Sequence, residues 1–454
     1  MTRISKEKSQ RFSVELIKGA INATRREMEA LIARTSMSPF IREKKDFFTA
    51  IINKKGELVV STSLTLSGNL LNPILEIYPA ESMKDGDLYW YNDPYSTGGA
   101  VSHIPDMVFV MPVFVDERLI AFVECWGHLW DIGGAVPGSI SPTANSVFQE
   151  GIMIPPVKVI DGGVRNNEVF RIFKNNSRFP EILEGDLNSL MAACKLGKKR
   201  MEECAFIHGS DTVELALEQI ILQSQFALTQ QLDKLIPSGE WGFRDHIDSD
   251  AVSDKSYFVD LLLTKKDGVL TLDFSKTEKQ AAGPINFIMD SSVPKFMLGL
   301  YLTSNMEGVV MNAGFQRAIP DVKTKVGSLL SPISPAPLGL RSHTMFRVNS
   351  AIFGCLAQAM NGSASAASSV YVLYYLRGEK TIGNEELCIE GLSVGYGARP
   401  FSDGLDAVYY VAQENYPIEF AEMEFGLEIE QFSVHCDSGG AGRYRGGCGI
   451  IRDV

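Results

Sequence analysis

The most constraining feature of the sequence is a pair of His-x-x-Asp motifs that flank two apolar runs. His103 and Asp106 form the first motif, and His128 and Asp131 form the second. The segment 107–126 between them is rich in β-branched and aromatic residues, with a polar Asp-Glu-Arg triplet at its centre. This pattern predicts one antiparallel hairpin that carries a motif at each side of its open end.

A regular register centred on the turn would bring the two motifs together. It would place His103 opposite Asp131 and Asp106 opposite His128, with directly opposed Cβ atoms about 4.5–5.5 Å apart. Two imidazoles and two carboxylates at such spacing form a nitrogen and oxygen ligand set that suits a divalent cation. We therefore predict a metal site made of these four residues. The alternative is two ordinary hydrogen-bonded His–Asp pairs.

Composition excludes several classes of protein. The net charge of −12 and the absence of a Lys/Arg block argue against nucleic acid as a partner. The sequence has no apolar run long enough for a membrane helix, and its polar start lacks the apolar core of a secretion signal. Seven dispersed cysteines without Cys-x-x-Cys spacing fit a reducing compartment. We expect a cytoplasmic protein without membrane contact.

The order of the predicted elements indicates an α+β fold with mixed or antiparallel sheets and long helices. Apolar residues at helical spacing predict a first helix over 14–34 and helices throughout 181–236, where Asp211 and Glu214 resemble a capping box. A composition shift near 237–241 suggests two domains. The first would span 1–240 and contain the hairpin at about 100–135, and the second would span 241–454.

The sequence closes on an apolar run, Gly449-Ile-Ile-Arg-Asp-Val454, that predicts a strand. Such a strand would leave an exposed sheet edge unless something covers it. We expect either a small additional subunit that completes this region or a sequence that has been cut.

Several motifs occur in an order that resembles a known family. They are Asn92-Asp-Pro-Tyr95, Ser102-His-Ile-Pro-Asp106, His128-Leu-Trp-Asp-Ile-Gly-Gly134, Gln149-Glu-Gly151, Asn415-Tyr-Pro-Ile-Glu419 and the Gly-rich segment Asp437–Gly447. Together they resemble the hydantoinase B/5-oxoprolinase family across nearly the whole chain. The residues of the segments 86–93 and 99–103 are most similar to those of the acetone and acetophenone carboxylase branch.

The resemblance implies a metal and a partner. In this family a B-type chain works with an A-type chain that binds ATP, and this sequence contains no phosphate-binding Gly-x-x-x-x-Gly-Lys-Ser/Thr loop of its own. The resemblance makes His103, Asp106 and His128 ligands of a divalent metal such as Mn, Zn or Fe. Asp131 would be a fourth ligand or would support the ligands from behind.

Three further residues are candidates for supporting roles. Glu150, in a Gln-Glu-Gly motif, is a candidate general base, although it is alternatively a solvated loop carboxylate. Asn92 and Asp93 are expected to orient the site loop through turn hydrogen bonds, either behind the metal ligands or in a purely structural turn.

The leading functional hypothesis is ATP-dependent carboxylation of a ketone at the metal, in a hetero-oligomer with the A-type partner. The enzymatic alternative is ATP-dependent hydrolysis of a cyclic amide such as a hydantoin or 5-oxoproline. A different class, a non-catalytic scaffold subunit, stays open as well. In each enzymatic case the substrate is a small molecule.

Overall fold

The computed structural model describes residues 3–63, 68–368, 372–381, 384–409 and 413–454. The α-helices of these residues are α1 (Arg3–Thr35), α2 (Pro39–Arg42), α3 (Asn72–Ile77), α4 (Asn167–Lys174), α5 (Pro180–His208), α6 (Ser210–Leu235), α7 (Ser292–Thr303), α8 (Ala313–Ala318), α9 (Ser342–Ala359) and α10 (Ile418–Phe425). The strands are β1 (Phe47–Asn53), β2 (Leu58–Ser61), β3 (Leu88–Tyr91), β4 (Asp106–Val115), β5 (Arg118–His128), β6 (Val157–Asp161), β7 (Val164–Arg165), β8 (Gly239–Ile247), β9 (Tyr257–Lys266), β10 (Val269–Asp273), β11 (Asp321–Lys323), β12 (Val372–Thr381), β13 (Asn384–Leu392), β14 (Gln431–Val434) and β15 (Ile450–Asp453). The predicted α+β class is confirmed.

The predicted hairpin is confirmed as β4 and β5, at the centre of the main antiparallel sheet. The described strands of this sheet follow the order β2-β1-β5-β4-β3-β6-β7. Asp116 and Glu117 form a two-residue turn in which both have positive φ, as tight hairpin turns require. A bulge near Val113 shifts the register by one residue, and from there to the open end the strands pair regularly.

Both faces of the main sheet are buried, which explains why its strands are continuously apolar instead of alternating. On one face, Met107 and Phe109 of β4 pack in a cluster with α1, α5 and α6. On the other face, Val108 and Val110 pack in a second cluster with the sheet β8–β11 and with α7 and α9. The hairpin is therefore fixed from both sides, and its open end can serve as a rigid base for a site.

The predicted helical region 181–236 is confirmed and consists of two helices, α5 and α6. α5 ends and α6 begins at Gly209, whose φ of +83° is open to glycine and strained for other residues. The expected capping box is wrong: the structure shows no side-chain cap at the start of α6. Asp211 and Glu214 form ion pairs with Arg118 instead, because the loop end of the β4–β5 hairpin lies beside them.

The second sheet has the described strand order β11-β10-β9-β8, in which β9 and β10 form an antiparallel hairpin. The apolar cluster between the two sheets includes residues on both sides of position 240, such as Val108 and Ile352. The domain boundary near 240 stays a prediction. The predicted strand close to residue 454 is β15, and it pairs with β14. Among the described residues, the structure contains no helix with the length and apolarity needed to span a bilayer.

Glu124 on β5 is a carboxyl group whose ionisation should oppose folding. It is only 2 % exposed, and its Oε2 atom has no hydrogen-bond partner among the described residues. Burial raises the pKa of this side chain to about 8 from an ordinary value of 4.5. The folded state therefore favours the neutral acid.

We predict that Glu124→Gln stabilises the protein increasingly as the pH rises. Because the pKa of Glu124 is raised on folding, its contribution is fully present below the unfolded pKa and is lost as the pH approaches the folded value. The advantage of Gln should grow by roughly 1 kcal/mol per pH unit between about pH 5 and about pH 8 and then level off. Urea unfolding between pH 5 and pH 8 measures the difference in the free energy of unfolding between the variant and the wild type. Replacement of the exposed Glu76 by Gln is the control. A constant difference between the two proteins would contradict the assignment.

Candidate metal centre

The open end of the β4–β5 hairpin brings two of the predicted ligands together directly. Asp106 and His128 are the last pair of the ladder, so their side chains leave the same face of the sheet. Beyond this pair, the Leu129 amide donates to the Pro105 carbonyl at 2.9 Å, which keeps the two chains together. The chain then turns, and the Asp106 amide donates to the His103 carbonyl at 3.3 Å. This turn folds the His103 side chain back over Asp106.

Three predicted ligands form one buried cluster. Oδ1 of Asp106 lies 2.9 Å from Nε2 of His103 and 3.2 Å from Nδ1 of His128. One ligand atom from each residue lies within 4.8 Å of the other two, and all three side chains are buried. The ring centroids of the two histidines are 4.9 Å apart. The predicted association of His103, Asp106 and His128 is thus present in the structure.

Two residues that the sequence analysis did not select complete the cluster. Oδ2 of Asp46 lies 3.8 Å from Nδ1 of His128, and the His128 amide donates to the Asp46 carbonyl at 3.1 Å. Arg341, which precedes α9, has Nη2 3.5 Å from Oδ2 of Asp106 and donates through Nε to Ser102 at 3.0 Å. Asp46 directly precedes β1, and β1 pairs with β5, the strand that carries His128. Its position before an apolar run is the sequence feature that could have indicated its place at the cluster. Nothing in the local sequence pointed to Arg341.

The electrostatics of the cluster favour a neutral His103 imidazole and a charged Asp106. Burial, reinforced by the nearby Arg341 guanidinium, lowers the pKa of His103 to about 3. Burial alone would raise the pKa of Asp106, but His103, His128 and Arg341 together hold that pKa below its ordinary value. Burial raises the pKa of Asp46, and the opposing effect of His128 is smaller. Neutral imidazoles and a carboxylate are the forms that bind metals.

These residues fit a divalent metal. The 2.9 and 3.2 Å separations are close to the roughly 3.3 Å between adjacent ligand atoms of a tetrahedral site with bonds of about 2.1 Å. Each ring meets Asp106 through one nitrogen, and the opposite ring nitrogens, Nδ1 of His103 and Nε2 of His128, are buried without a hydrogen-bond partner among the described residues and lie outside this ligand arrangement. Two histidines and one or two carboxylates suit Zn, Mn or Fe, and the donor set does not select among them.

Asp131 does not join the cluster, contrary to the prediction from the hairpin register. Its carboxylate accepts hydrogen bonds from the backbone amides of Gly133, Gly138 and Arg178 and pairs with the Arg178 guanidinium at 3.0 Å. The regular ladder stops before it, because the chain turns away after His128 to form this loop. Asp131 therefore holds the loop that follows β5.

Asn92 supports the ligands from behind, and Asp93 shapes a turn. The fully buried Asn92 amide donates to the carbonyls of Ile104 and Ile152 at 2.8 and 2.9 Å, which fixes the backbone next to His103. Oδ1 of Asp93 accepts the backbone amide of Tyr95 at 2.9 Å, the geometry of an Asx turn. Asn92 therefore fixes the backbone next to His103, whereas Asp93 stabilises only its own turn.

Glu150 anchors a loop beside the site. Its Oε1 atom accepts the backbone amides of Leu338 and Gly339 at 2.8 and 2.7 Å. Burial raises the pKa of Glu150 to about 8, although these two hydrogen bonds oppose the shift. Among the described residues, Glu150 is not one that lines the cavity at the cluster. Its geometry favours a positioning role through the loop that leads to Arg341, and its predicted role as a general base stays a prediction.

The cluster lies in the wall of a cavity of about 520 Å³. The other walls come from α2, the segment 339–345 at the start of α9, and β12. The apolar lining residues are Phe40, Ile140, Pro142, Leu340, Met345, Val372 and Leu373, and the polar or charged ones include Arg341, His343, Tyr375, Arg377, Tyr409 and Gln413. The cavity thus combines an apolar surface with a few convergent polar groups, as small-molecule sites do.

The structure is an α+β fold with a buried His–Asp cluster at the end of its central hairpin, and comparison with known proteins identifies the family. The model of the family described as Hydantoinase B/oxoprolinase matches residues 10–454. The chain belongs to this family of enzymes. It is 31% identical to the B-type subunit of a putative D-/L-hydantoinase from Pseudomonas sp. (strain NS671), over 98% of this chain and 77% of that protein.

Two solved structures share the fold. The ATP-dependent caprolactamase from Pseudomonas jessenii has a TM-score of 0.86 at 24% identity, with 97% of this chain and 77% of that chain covered. The nucleotide-free structure of acetone carboxylase has a TM-score of 0.83 at 18% identity, with 97% of this chain and 61% of that chain covered. The family resemblance and the fold class are confirmed, whereas the resemblance does not distinguish the two reactions.

We predict that metal content separates the three clustered residues from Asp131. His128→Ala should lose most of the bound metal, because a ligand is removed. Asp131→Asn should keep the metal and lose about 1–3 kcal/mol of stability, because two hydrogen-bond acceptors and an ion pair are weakened. Mass spectrometry of the purified proteins for bound metal and thermal unfolding measure the two effects, with the exposed His435→Ala as control. Loss of metal in Asp131→Asn with the fold retained would restore Asp131 as a ligand.

We predict that Glu150→Gln retains substrate turnover by the assembled enzyme, whereas Glu150→Ala loses it. A glutamine oxygen can still accept the amides of Leu338 and Gly339, and it resembles the protonated acid that burial favours. A general base would behave differently, because its replacement by Gln typically lowers kcat by about 10²–10⁴-fold. Parallel measurement of kcat and thermal stability distinguishes the two roles.

Proposed function

We propose that this chain is the metal-binding subunit of an ATP-dependent enzyme that hydrolyses a cyclic amide. The observation that carries the proposal is the buried cluster of His103, Asp106 and His128 in the wall of a cavity of about 520 Å³. The reaction class is supported by the 31% identity to a protein named as part of a hydantoinase, which extends over 98% of this chain. Hydantoin is itself a cyclic amide.

A divalent cation held by these residues would polarise an amide carbonyl and lower the pKa of a bound water molecule. The chain's own residues provide the setting for that chemistry. Asp106 orients both imidazole rings through one oxygen atom, and Asp46 adds a second buried carboxylate. Phe40 and Leu373 give the cavity apolar walls that can receive the methylene groups of a ring and exclude water.

The nucleotide is expected on a partner subunit. This sequence lacks the phosphate-binding loop of common ATPases, whereas the caprolactamase and the acetone carboxylase that share its fold are described as ATP-dependent. We propose an A-type, ATP-binding chain as the partner, which activates the substrate before it reaches the metal. Such a pair would work in the cytoplasm, where ATP is available.

Ketone carboxylation is the second candidate. The observation that favours it is the large apolar share of the cavity, where Ile140, Pro142 and Val372 extend the surface provided by Phe40 and Leu373. A small alkyl or aryl ketone needs few polar partners besides the metal. A cation held by His103, Asp106 and His128 would there polarise the ketone oxygen.

Assays of this chain, co-purified with its ATP-binding partner, test the proposal. We expect ATP-dependent opening of a cyclic amide, from a panel of hydantoin, 5-oxoproline and caprolactam, with no requirement for bicarbonate. Consumption of acetone or acetophenone that requires both ATP and bicarbonate would replace the proposal with the second candidate. The complex that contains His128→Ala should assemble and be inactive. Full activity of that complex would favour a non-catalytic scaffold.

A further inference from the structure

The β12–β13 hairpin forms one wall of the cavity, yet among the described strands β12 and β13 pair only with each other. Leu373, Tyr375 and Arg377 alternate along β12 and line the cavity. On the same face, Ile389 of β13 packs in one apolar cluster with Phe40. A two-stranded hairpin is only marginally stable by itself. The position of this wall therefore depends on side-chain contacts with the rest of the fold.

On the opposite face of the hairpin, a buried ion pair joins β13 to β15. Nη2 of Arg452 donates to both Oε1 and Oε2 of Glu390 at 3.1 Å, and the two side chains are only 1 % and 0 % exposed. Glu390 lies directly opposite Tyr374 in the ladder and accepts a hydrogen bond from its hydroxyl group. Because side chains alternate along a strand, Tyr374 points away from the cavity that its neighbours Leu373 and Tyr375 line. The ion pair thus lies directly behind the cavity wall.

The guanidinium group of Arg452 is stacked as well as paired. It lies over the ring of Phe432 at 4.5 Å, and Phe432 is its partner in the β14–β15 ladder. Directly after Glu390 in the chain, the carbonyl of Gly391 accepts a hydrogen bond from the buried Nζ of Lys44 at 3.0 Å. Two cationic side chains from distant parts of the chain therefore fix adjacent residues of β13.

The ion pair is incompletely satisfied, which argues for a role in positioning. Nε and Nη1 of Arg452 are buried and have no hydrogen-bond partner among the described residues. Replacement of a buried ion pair by apolar residues is often neutral or stabilising, so stability alone does not explain it. A guanidinium nitrogen within hydrogen-bonding distance of both carboxylate oxygens restricts the distance and the orientation of the two groups. An apolar contact would not define the position of the hairpin in this way.

We propose that Arg452 is a positioning residue for the substrate: through Glu390 it sets the position of the β12 wall and thereby the affinity of the cavity for its substrate. Neither residue is among the described ones that line the cavity or form the metal cluster. The chemistry at His103, Asp106 and His128 is therefore affected only indirectly. The kinetic consequence rests on the proposed function, whereas the link between β15 and β12 is independent of it.

Replacement of Arg452 by Met in the assembled enzyme tests the kinetic consequence. A wall that is displaced by about 1 Å can cost up to roughly 10²-fold in rate. The KM for the cyclic amide that the panel identifies should rise about tenfold while kcat changes less than about twofold, because substrate binding is weakened and the centre is not. Metal content should stay unchanged. Arg452→Lys should restore part of the affinity, since it keeps the charge but not the planar group. Arg443→Met, at an exposed arginine between β14 and β15, is the matched control.

Hydrogen exchange of the full chain, followed by mass spectrometry, measures the link without an assay of turnover. In Arg452→Met the amides of residues 372–378 and 386–392 should exchange faster, and those of β4 and β5 should be unchanged. The double variant Arg452→Met/Glu390→Gln removes both charges and leaves Tyr374 an acceptor. It should regain thermal stability, because no buried charge is left unpaired. It should keep the raised KM and the faster exchange, because the defined contact is absent.

Several results would overturn the positioning role. A wild-type KM and wild-type exchange in Arg452→Met remove it, and so does a KM that returns to the wild-type value together with stability in the double variant. A lower kcat and a lower metal content at unchanged KM would place the effect at the metal cluster instead. Should Arg452→Met fail to fold, the double variant and Arg452→Lys carry the same comparison. An enzyme that opens no cyclic amide contradicts the proposed function, and the exchange experiment then still decides whether Arg452 positions β12.

Discussion

The register of a single pair of strands determines the whole centre. Asp106 and His128 are opposed in the β4–β5 ladder, and a slip of one residue would send one of them to the opposite face of the sheet. The apolar clusters on both faces of the sheet oppose such a slip, because it would exchange Val108 for Met107 or Phe109 against neighbours of different shape. The site thus takes its precision from the core that surrounds the hairpin.

The burial that fixes the strand register also makes the charged groups of the cluster costly in free energy. Two carboxylates and two imidazoles that are buried are stable only when their charges and lone pairs are compensated. Asp106 is compensated within the chain by His103, His128 and Arg341, whereas the outer ring nitrogens are not. A cation held by His103, Asp106 and His128 would add interactions that only the folded chain can make, so metal binding and stability should be coupled.

Sequence reasoning succeeded where structure follows from local pairing. The hairpin, the opposition of Asp106 and His128, and the proximity of His103 all follow from strand periodicity and turn chemistry. The expected opposition of His103 and Asp131 is absent, because the strand pairing ends at Asp106 and His128 and the chain then turns. Arg178, which is distant in sequence, stabilises that turn. Asp46 and Arg341 were missed for the same reason, since tertiary packing alone brings them to the hairpin. The hydrogen bonds that Glu150 accepts from Leu338 and Gly339 could not be read from its motif, because that loop is distant in sequence.

The division between local and distant residues explains why the family can be recognised while the substrate cannot. The metal ligands lie on one continuous segment, and their ordered motifs identify the family. The cavity walls come from α2, the start of α9 and β12, which are separated in sequence and contribute single side chains such as Phe40, His343 and Leu373. Substitutions in these walls can therefore alter the shape and polarity of the cavity while the hairpin stays unchanged. A hydantoinase, a caprolactamase and a ketone carboxylase can consequently share the fold, and their differences should be sought around the rim formed by α9 and β12.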